Sequence, residues 1–134
     1  MADSFTLEII SPSGKVFSGP MKHVRAPGQA GSFGVLPSHT PFITPLQVGV
    51  IDGTTAEGKE LIVATSGGMA EVHGDKVVVL AETAEEKSKI DAERAKESRE
   101  RAEKRLESHE PDLDTERARA ALARALNRLK VASI

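Results

Sequence analysis

Ile90-Asp91-Ala92-Glu93-Arg94-Ala95 and Leu113-Asp114-Thr115-Glu116-Arg117-Ala118 open two runs of helix-forming residues that decide how this chain is built. Each opening sets an aliphatic residue before an aspartate, with glutamate, arginine and alanine following. Aspartate accepts hydrogen bonds from the free N–H groups of a first helical turn, so Asp91 and Asp114 read as N-caps. Ile90 and Leu113 then fall at N′, where they can staple against Ala95 and Ala118 at N4. Glu93 and Glu116 lie in the first turn, where the helix dipole favours negative charge. A second register also fits the first helix: Ser88 as the cap, with Asp91 three residues on completing a capping box. Between the runs, the polar residues 107–112 include Pro111. Either register predicts an antiparallel two-helix hairpin joined by a short turn, over residues 85–134.

The second helix has a clear apolar stripe, with Ala118, Ala121, Leu122, Ala125, Leu126 and Leu129 at helical spacing. Arg117, Arg124 and Arg128 run along one flank of it with no acid between them. The first helix offers only Ile90, Ala95, Ala102 and Leu106, interrupted by Ser98, and sets Arg94 and Arg101 seven residues apart on one face. Burial supplies roughly 25 cal/mol per Å² of apolar surface, and alanine has little to bury. Each helix is therefore favoured locally while the docking between them is weak, which is the composition of a movable element. The arginine flank admits two readings at this level. It is a solvated face that aids solubility, or an anion site for phosphates or an acidic partner segment.

Toward the N-terminus the composition changes near Ala84. Of the 18 Lys and Arg, 13 lie from Lys87 onward, and the preceding region is rich in Gly, Pro, Val and Ile. Residues 5–9 alternate apolar and polar, as a half-buried strand does; residues 15–17 and 21–26 restart the pattern, and a Gly- and Pro-dense segment follows at 31–41. Further strands are expected at 42–46, 48–51, 61–65 and 69–73, with turns at Asp52-Gly53, Gly67-Gly68 and Gly74-Asp75. The run Val77-Val78-Val79-Leu80 reads as a buried strand. Strands at this spacing predict a β-sandwich or barrel. The expected fold class is α+β: an N-terminal antiparallel β-sandwich over residues 1–84, then a C-terminal antiparallel two-helix hairpin over residues 85–134.

Composition narrows the functions. A net charge of −2 over 134 residues argues against general nucleic-acid affinity, and four Phe with no Trp or Tyr leave no base-stacking platform. The absence of cysteine excludes disulfides and thiolate metal sites. No apolar run approaches the roughly 18 residues of a membrane span, and Met1-Ala2-Asp3-Ser4 has neither the basic nor the apolar part of a signal peptide. A soluble, intracellular protein is expected. His23, His39, His73 and His109 lack metal-ligand spacing and read as surface or packing residues. Thr65-Ser66-Gly67-Gly68 lacks the G-x-S-x-G pattern and reads as a turn. No phosphate-binding G-x-x-x-x-G-K-[ST] loop occurs. No residue set makes an enzyme.

Three stretches taken together are similar to a known family: Gly31-Ser32-Phe33-Gly34-Val35-Leu36-Pro37-Ser38-His39-Thr40-Pro41; Ser66-Gly67-Gly68-Met69-Ala70-Glu71-Val72 with Val77-Val78-Val79-Leu80-Ala81; and Ile90-Asp91-Ala92-Glu93-Arg94-Ala95. Over essentially its whole length the chain resembles the epsilon subunits of the F-type rotary ATP synthase, bacterial members especially. The resemblance implies a non-catalytic subunit of the central rotor, whose β-sandwich grips the gamma subunit and the ring of membrane c subunits. It implies a monomer when isolated, and a peripheral place on the cytoplasmic face of the bacterial plasma membrane. The tail of this family folds onto the sandwich or extends along gamma toward acidic loops of the beta subunits, where it inhibits ATP hydrolysis. Some bacterial members bind ATP in the folded tail without hydrolysing it, with or without magnesium. Their motif, Ile/Leu-Asp-x-x-Arg-Ala, is matched by Ile90, Asp91, Arg94 and Ala95; Glu85, Arg101, Arg124 and Arg128 match further positions. By role the arginines hold phosphates, while Glu85, Ile90, Asp91 and Ala95 cradle adenine and ribose. Leu113-Asp114-x-x-Arg117-Ala118 fits the same pattern, so part of the motif is the grammar of a helix start. Ser32 and Ser38 depart from the family's usual Glu and Gly. Two other readings stand beside this one: a purely structural coupling subunit with a fixed tail, and a free-standing adaptor that dimerises through its hairpin.

Overall fold

Phe5, Leu7 and Ile9 alternate with more exposed neighbours along β1 (Phe5–Ser11), and all three are buried. The same period-2 rule builds the rest of the N-terminal layer structure. The computed structural model describes residues 3–134. After β1 come β2 (Gly14–Gly28), β3 (Gly31–Val35), β4 (Phe42–Leu46), β5 (Gly49–Thr55), β6 (Glu60–Thr65), β7 (Gly68–His73), β8 (Lys76–Ala81) and β9 (Ala84–Glu86). A 3-10 turn (Lys87–Lys89) leads into α1 (Ala92–Ser108) and α2 (Thr115–Ala132). The strand order is β1-β8-β7-β4-β2-β5-β6-β9, with β3 beside β2. The sheet folds back on itself because β2 serves both layers, pairing with β1 up to Met21 and with β5 from Met21 on. Leu7, Ile9, Met21, Ile51, Val63 and Val79 fill the space between the layers. This is the expected sandwich followed by the expected helical pair.

Several local expectations are corrected. Residues 15–17 and 21–26 belong to one strand, β2, which runs through Gly19-Pro20. Within the Gly- and Pro-dense segment 31–41, β3 pairs with β2 from Val24↔Val35 to Gly28↔Gly31. Asp52-Gly53 is not a turn but the middle of β5, opposite Ile62 and Leu61. Gly53 is there because β2 comes so close: a Cβ would stand 2.3 Å from the His23 carbonyl oxygen. Asp52 accepts from the Arg25 guanidinium at 2.8 Å, and this hydrogen bond, with the carboxylate's charge, holds Arg25 above its ordinary pKa. Among the described residues the strand pairs are antiparallel with one exception, β1 against β8. Thr65-Ser66-Gly67-Gly68 does not close a hairpin: it links β6, which pairs with β5 and β9, to β7, which pairs with β4 and β8. The buried Thr65 hydroxyl is held by its neighbours, with Oγ1 3.1 Å from the Thr83 carbonyl and accepting from Gly67 N–H.

Both aspartates cap their helices. Asp91 Oδ1 accepts from Arg94 N–H at 3.0 Å and Asp114 Oδ1 from Arg117 N–H at 3.1 Å, so the Ser88 register is not the one adopted. α1 ends at His109, whose left-handed φ of 50° lets the chain leave the helix before Pro111. Between the helices lie Ala95, Ala102, Ala118 and Ala125, all buried. The apolar stripe of α2 is narrower than its sequence suggests, because Leu126 is 46% exposed, while Val131 is fully buried.

The likeness of the two helices extends past their openings. Positions 90–108 and 113–131 correspond at an offset of 23, with Arg101/Arg124, Ala102/Ala125, Arg105/Arg128 and Leu106/Leu129 identical in addition to Asp91/Asp114, Glu93/Glu116, Arg94/Arg117 and Ala95/Ala118 of the openings. The hairpin is an internal repeat, laid down antiparallel. An approximate twofold therefore exchanges its base, next to the sandwich, with its tip.

Candidate functional site

The helices are not symmetric toward the sandwich. α1 packs chiefly on α2, while α2 also rests on β5 and β6. Asn127 makes the polar link: its Nδ2 donates to the Gly49 carbonyl at 2.8 Å and lies 3.4 Å from that of Thr65. Arg128 Nε donates to Glu85 Oε1 of β9 in a partly buried ion pair. Lys87 Nζ meets the Ile134 carbonyl. With these three polar anchors the tail lies folded against the sandwich. Sequence reading missed all three because each joins residues more than forty positions apart.

At this junction lies a cleft of about 690 Å³, within the usual range for small-molecule sites. Five of the eight expected binding residues line it: Glu85 from β9, Asp91 and Arg94 and Ala95 from the start of α1, and Arg128 from α2. Glu82, Thr83 and Ala84 line it as well, as do the β1–β2 turn, Ser11-Pro12-Ser13, and Lys89 and Ser98. None of these last five was singled out from the sequence. Lys89 had a signal, standing directly before the Ile90-Asp91 opening; the turn serines had none.

The other three expected residues stand apart. Ile90 lines a separate, mainly apolar groove of about 610 Å³ with Phe17, Leu61 and Ala132. Arg101 is exposed, two turns along α1 from Arg94, and donates to the Ser98 hydroxyl at 3.0 Å. Arg124 is half-buried one turn before Arg128 and outside the cleft lining. Glu85 engages the Nε side of Arg128, which leaves that guanidinium's terminal nitrogens to a ligand.

The cleft sets Lys89, Arg94 and Arg128 beside Glu82, Glu85 and Asp91, with serine hydroxyls and a capped helix start in the same lining. Among the described residues no group of His, Asp or Glu is arranged to hold a metal ion. No helix among them is long and apolar enough to cross a membrane. Of the two departures, Ser32 is exposed on β3, and Ser38 adopts a left-handed φ of 66°, the conformation a glycine would take without cost.

Comparison with known proteins covers nearly the whole chain. Residues 4–87 match the family described as ATP synthase, Delta/Epsilon chain, beta-sandwich domain, and residues 88–133 match its long alpha-helix domain. The ATP synthase epsilon chain of Moorella thermoacetica is 50% identical over 129 residues, covering 96% of each chain. That of Syntrophobacter fumaroxidans is 49% identical over 132 residues, covering 98% of each. Among solved structures, a chain of the Euglena gracilis mitochondrial ATP synthase superposes with a TM-score of 0.84 at 20% identity, covering all of this chain and 84% of that one. A chain of the Tetrahymena thermophila mitochondrial ATP synthase gives 0.56 at 12% identity, covering 96% and 92%. With both domains matched end to end and close relatives of the same length, the chain belongs to the delta/epsilon family of ATP synthase subunits, among the epsilon chains.

Proposed function

We propose that this chain is a non-catalytic, central-stalk subunit of a bacterial F-type ATP synthase, and that its helical hairpin is a nucleotide-biased switch. The sandwich holds gamma and the c ring; the two structural neighbours come from assemblies whose descriptions include the c ring, one of them with the central stalk. The subunit is then peripheral to the membrane, on its cytoplasmic face, and a monomer when isolated.

The observation that supports switching is the cleft itself. Asp91, Arg94 and Ala95 of the matched motif converge there with Glu85 of the sandwich and Arg128 of α2, so one ligand can touch both helices and the sandwich where they meet. ATP, with or without magnesium, places its phosphates against Arg94 and Arg128, and its base and ribose toward Glu85 and Asp91. A ligand at a hundred times its dissociation constant stabilises the state that binds it by about 2.7 kcal/mol. That is enough to hold a docked hairpin, provided the extended form binds ATP less well. When ATP falls, the hairpin leaves the sandwich and its basic flank, Arg117, Arg124 and Arg128, meets acidic loops of the beta subunits, which inhibits hydrolysis. Arg101 and Arg124 act on the longer reach of the phosphates or on the extended form, since neither lines the cleft.

Calorimetric titration of the chain with ATP tests this. The parent binds one ATP, and an Arg94→Ala, Arg128→Ala variant loses most of the affinity. Equal binding by the two proteins refutes the assignment. The rival, a fixed coupling subunit, draws support from the Arg128–Glu85 pair and the Asn127 link, which anchor the tail without any nucleotide. It requires tail mobility indifferent to ATP.

A further inference from the structure

The repeat sets a problem that the matched motif cannot solve. At the tip of the hairpin, Asp114, Arg117, Ala118 and Arg105 are the counterparts of Asp91, Arg94, Ala95 and Arg128 at the base. Both sets line a hollow, about 400 Å³ at the tip and about 690 Å³ at the base. Each hollow has a capped helix start and two arginines from opposite helices, so these four residues do not say which end takes an anion.

The position just before each aliphatic opener does. It is Lys89 at the base and Asp112 at the tip, 23 residues apart, and each lines its own hollow. The reversal of sign changes the local balance. At the base Lys89, Arg94 and Arg128 face Glu82, Glu85 and Asp91; at the tip Arg105 and Arg117 face Glu110, Asp112 and Asp114. The first is neutral and the second is net negative. Arg128 already spends part of its charge on Glu85, whereas Lys89 has no ion-pair partner among the described residues.

We propose that Lys89 is the residue that makes the base of the hairpin its anion-binding end, by meeting the polyphosphate chain of a nucleoside triphosphate, and that Asp112 turns the same ligand away from the tip. The inference rests on the nucleotide reading above and adds a specificity determinant to it. A lysine ammonium is a mobile point charge, suited to the outer phosphates where most of the ligand's charge resides. Its contribution therefore grows with the number of phosphates.

The test is calorimetry on the full chain with ATP, and with AMP by competition, for the parent, Lys89→Ala, Lys89→Arg and Asp112→Lys. Both positions are exposed, so the fold is not at stake. Lys89→Ala weakens ATP about five- to tenfold, a typical loss for a solvent-accessible charge on a phosphate, and changes AMP far less. Lys89→Arg restores ATP affinity, and Asp112→Lys adds a weaker binding event at the tip. Unchanged ATP affinity in Lys89→Ala, or equal losses for ATP and AMP, overturns the role of Lys89 while leaving the cleft assignment standing. Unchanged stoichiometry in Asp112→Lys overturns the role of Asp112. A parent that binds no ATP removes the nucleotide reading and this inference with it.

Discussion

Replacing Asn127 by Asp keeps the side chain's volume and removes the donor that links α2 to the sandwich. The parent amide donates at 2.8 Å to Gly49 and is marginal at 3.4 Å to Thr65, so one good bond is at stake. Such a bond contributes about 0.5–1.5 kcal/mol net, and leaving a buried carbonyl without a donor costs more. Gly49 is only half-buried, so water replaces part of the loss there, whereas Thr65 is buried. The carboxylate also faces two carbonyl oxygens. Together these put the loss of docking at about 1–2 kcal/mol, which is roughly a five- to thirtyfold shift toward the undocked hairpin. In the undocked hairpin the helices of 17 and 18 residues lose the cover of the sandwich and fray, so their amides exchange from that state. Native-state hydrogen exchange read by mass spectrometry should show α1 and α2 exchanging faster by that factor, with β1, β7 and β8 unchanged. If protection in the helices stays at the parental level, Asn127 is not an anchor. If sandwich and helices lose protection together, the two do not undock as separate units and the argument for a movable tail fails.

Other substitutions probe the remaining parts. Asp91→Ala and Asp114→Ala should each cost about 1 kcal/mol of helix stability through loss of a cap, measured by thermal unfolding of the helical circular dichroism signal. Only Asp91→Ala should also lower ATP affinity, and a matching loss in Asp114→Ala would move the binding site. Gly53→Ala should destabilise the sandwich by about 1–3 kcal/mol in urea titration, because the added methyl meets the β2 backbone; a neutral result would mean that β2 and β5 can part there at little cost. Ser38→Gly should raise stability by about 0.5–1 kcal/mol, the left-handed strain removed less the entropy that glycine adds to the unfolded chain. A lower urea midpoint would contradict it.

Local grammar was the most legible part of this chain. Asp91 and Asp114 cap their helices because capping needs only the next three residues, and the alternation of residues 5–9 needs only the pleat. What escaped was set by distant backbone. Asp52-Gly53 has the chemistry of a hairpin turn, but the approach of β2 at His23 requires a residue without Cβ inside β5. Leu126 completes an apolar stripe on paper, yet alanines bring the helices together along a narrower seam and leave it outside. The cleft was half legible. Its α1 residues stand in one contiguous motif, whereas Asn127 docks onto a carbonyl 78 residues away and the Ser11-Pro12-Ser13 wall comes from the opposite end of the chain. Glu85 and Arg128 were both named, but their pairing with each other depends on how β9 joins the edge of β6.

Hydrogen exchange of α1 and α2 in the isolated chain, with and without ATP at a hundred times its dissociation constant, bears most directly on the proposed switch. A ligand that binds only the docked hairpin slows exchange through the undocked state by roughly a hundredfold, with the sandwich core unaltered. Identical protection with and without nucleotide would contradict the account and leave a rotor subunit whose tail is fixed.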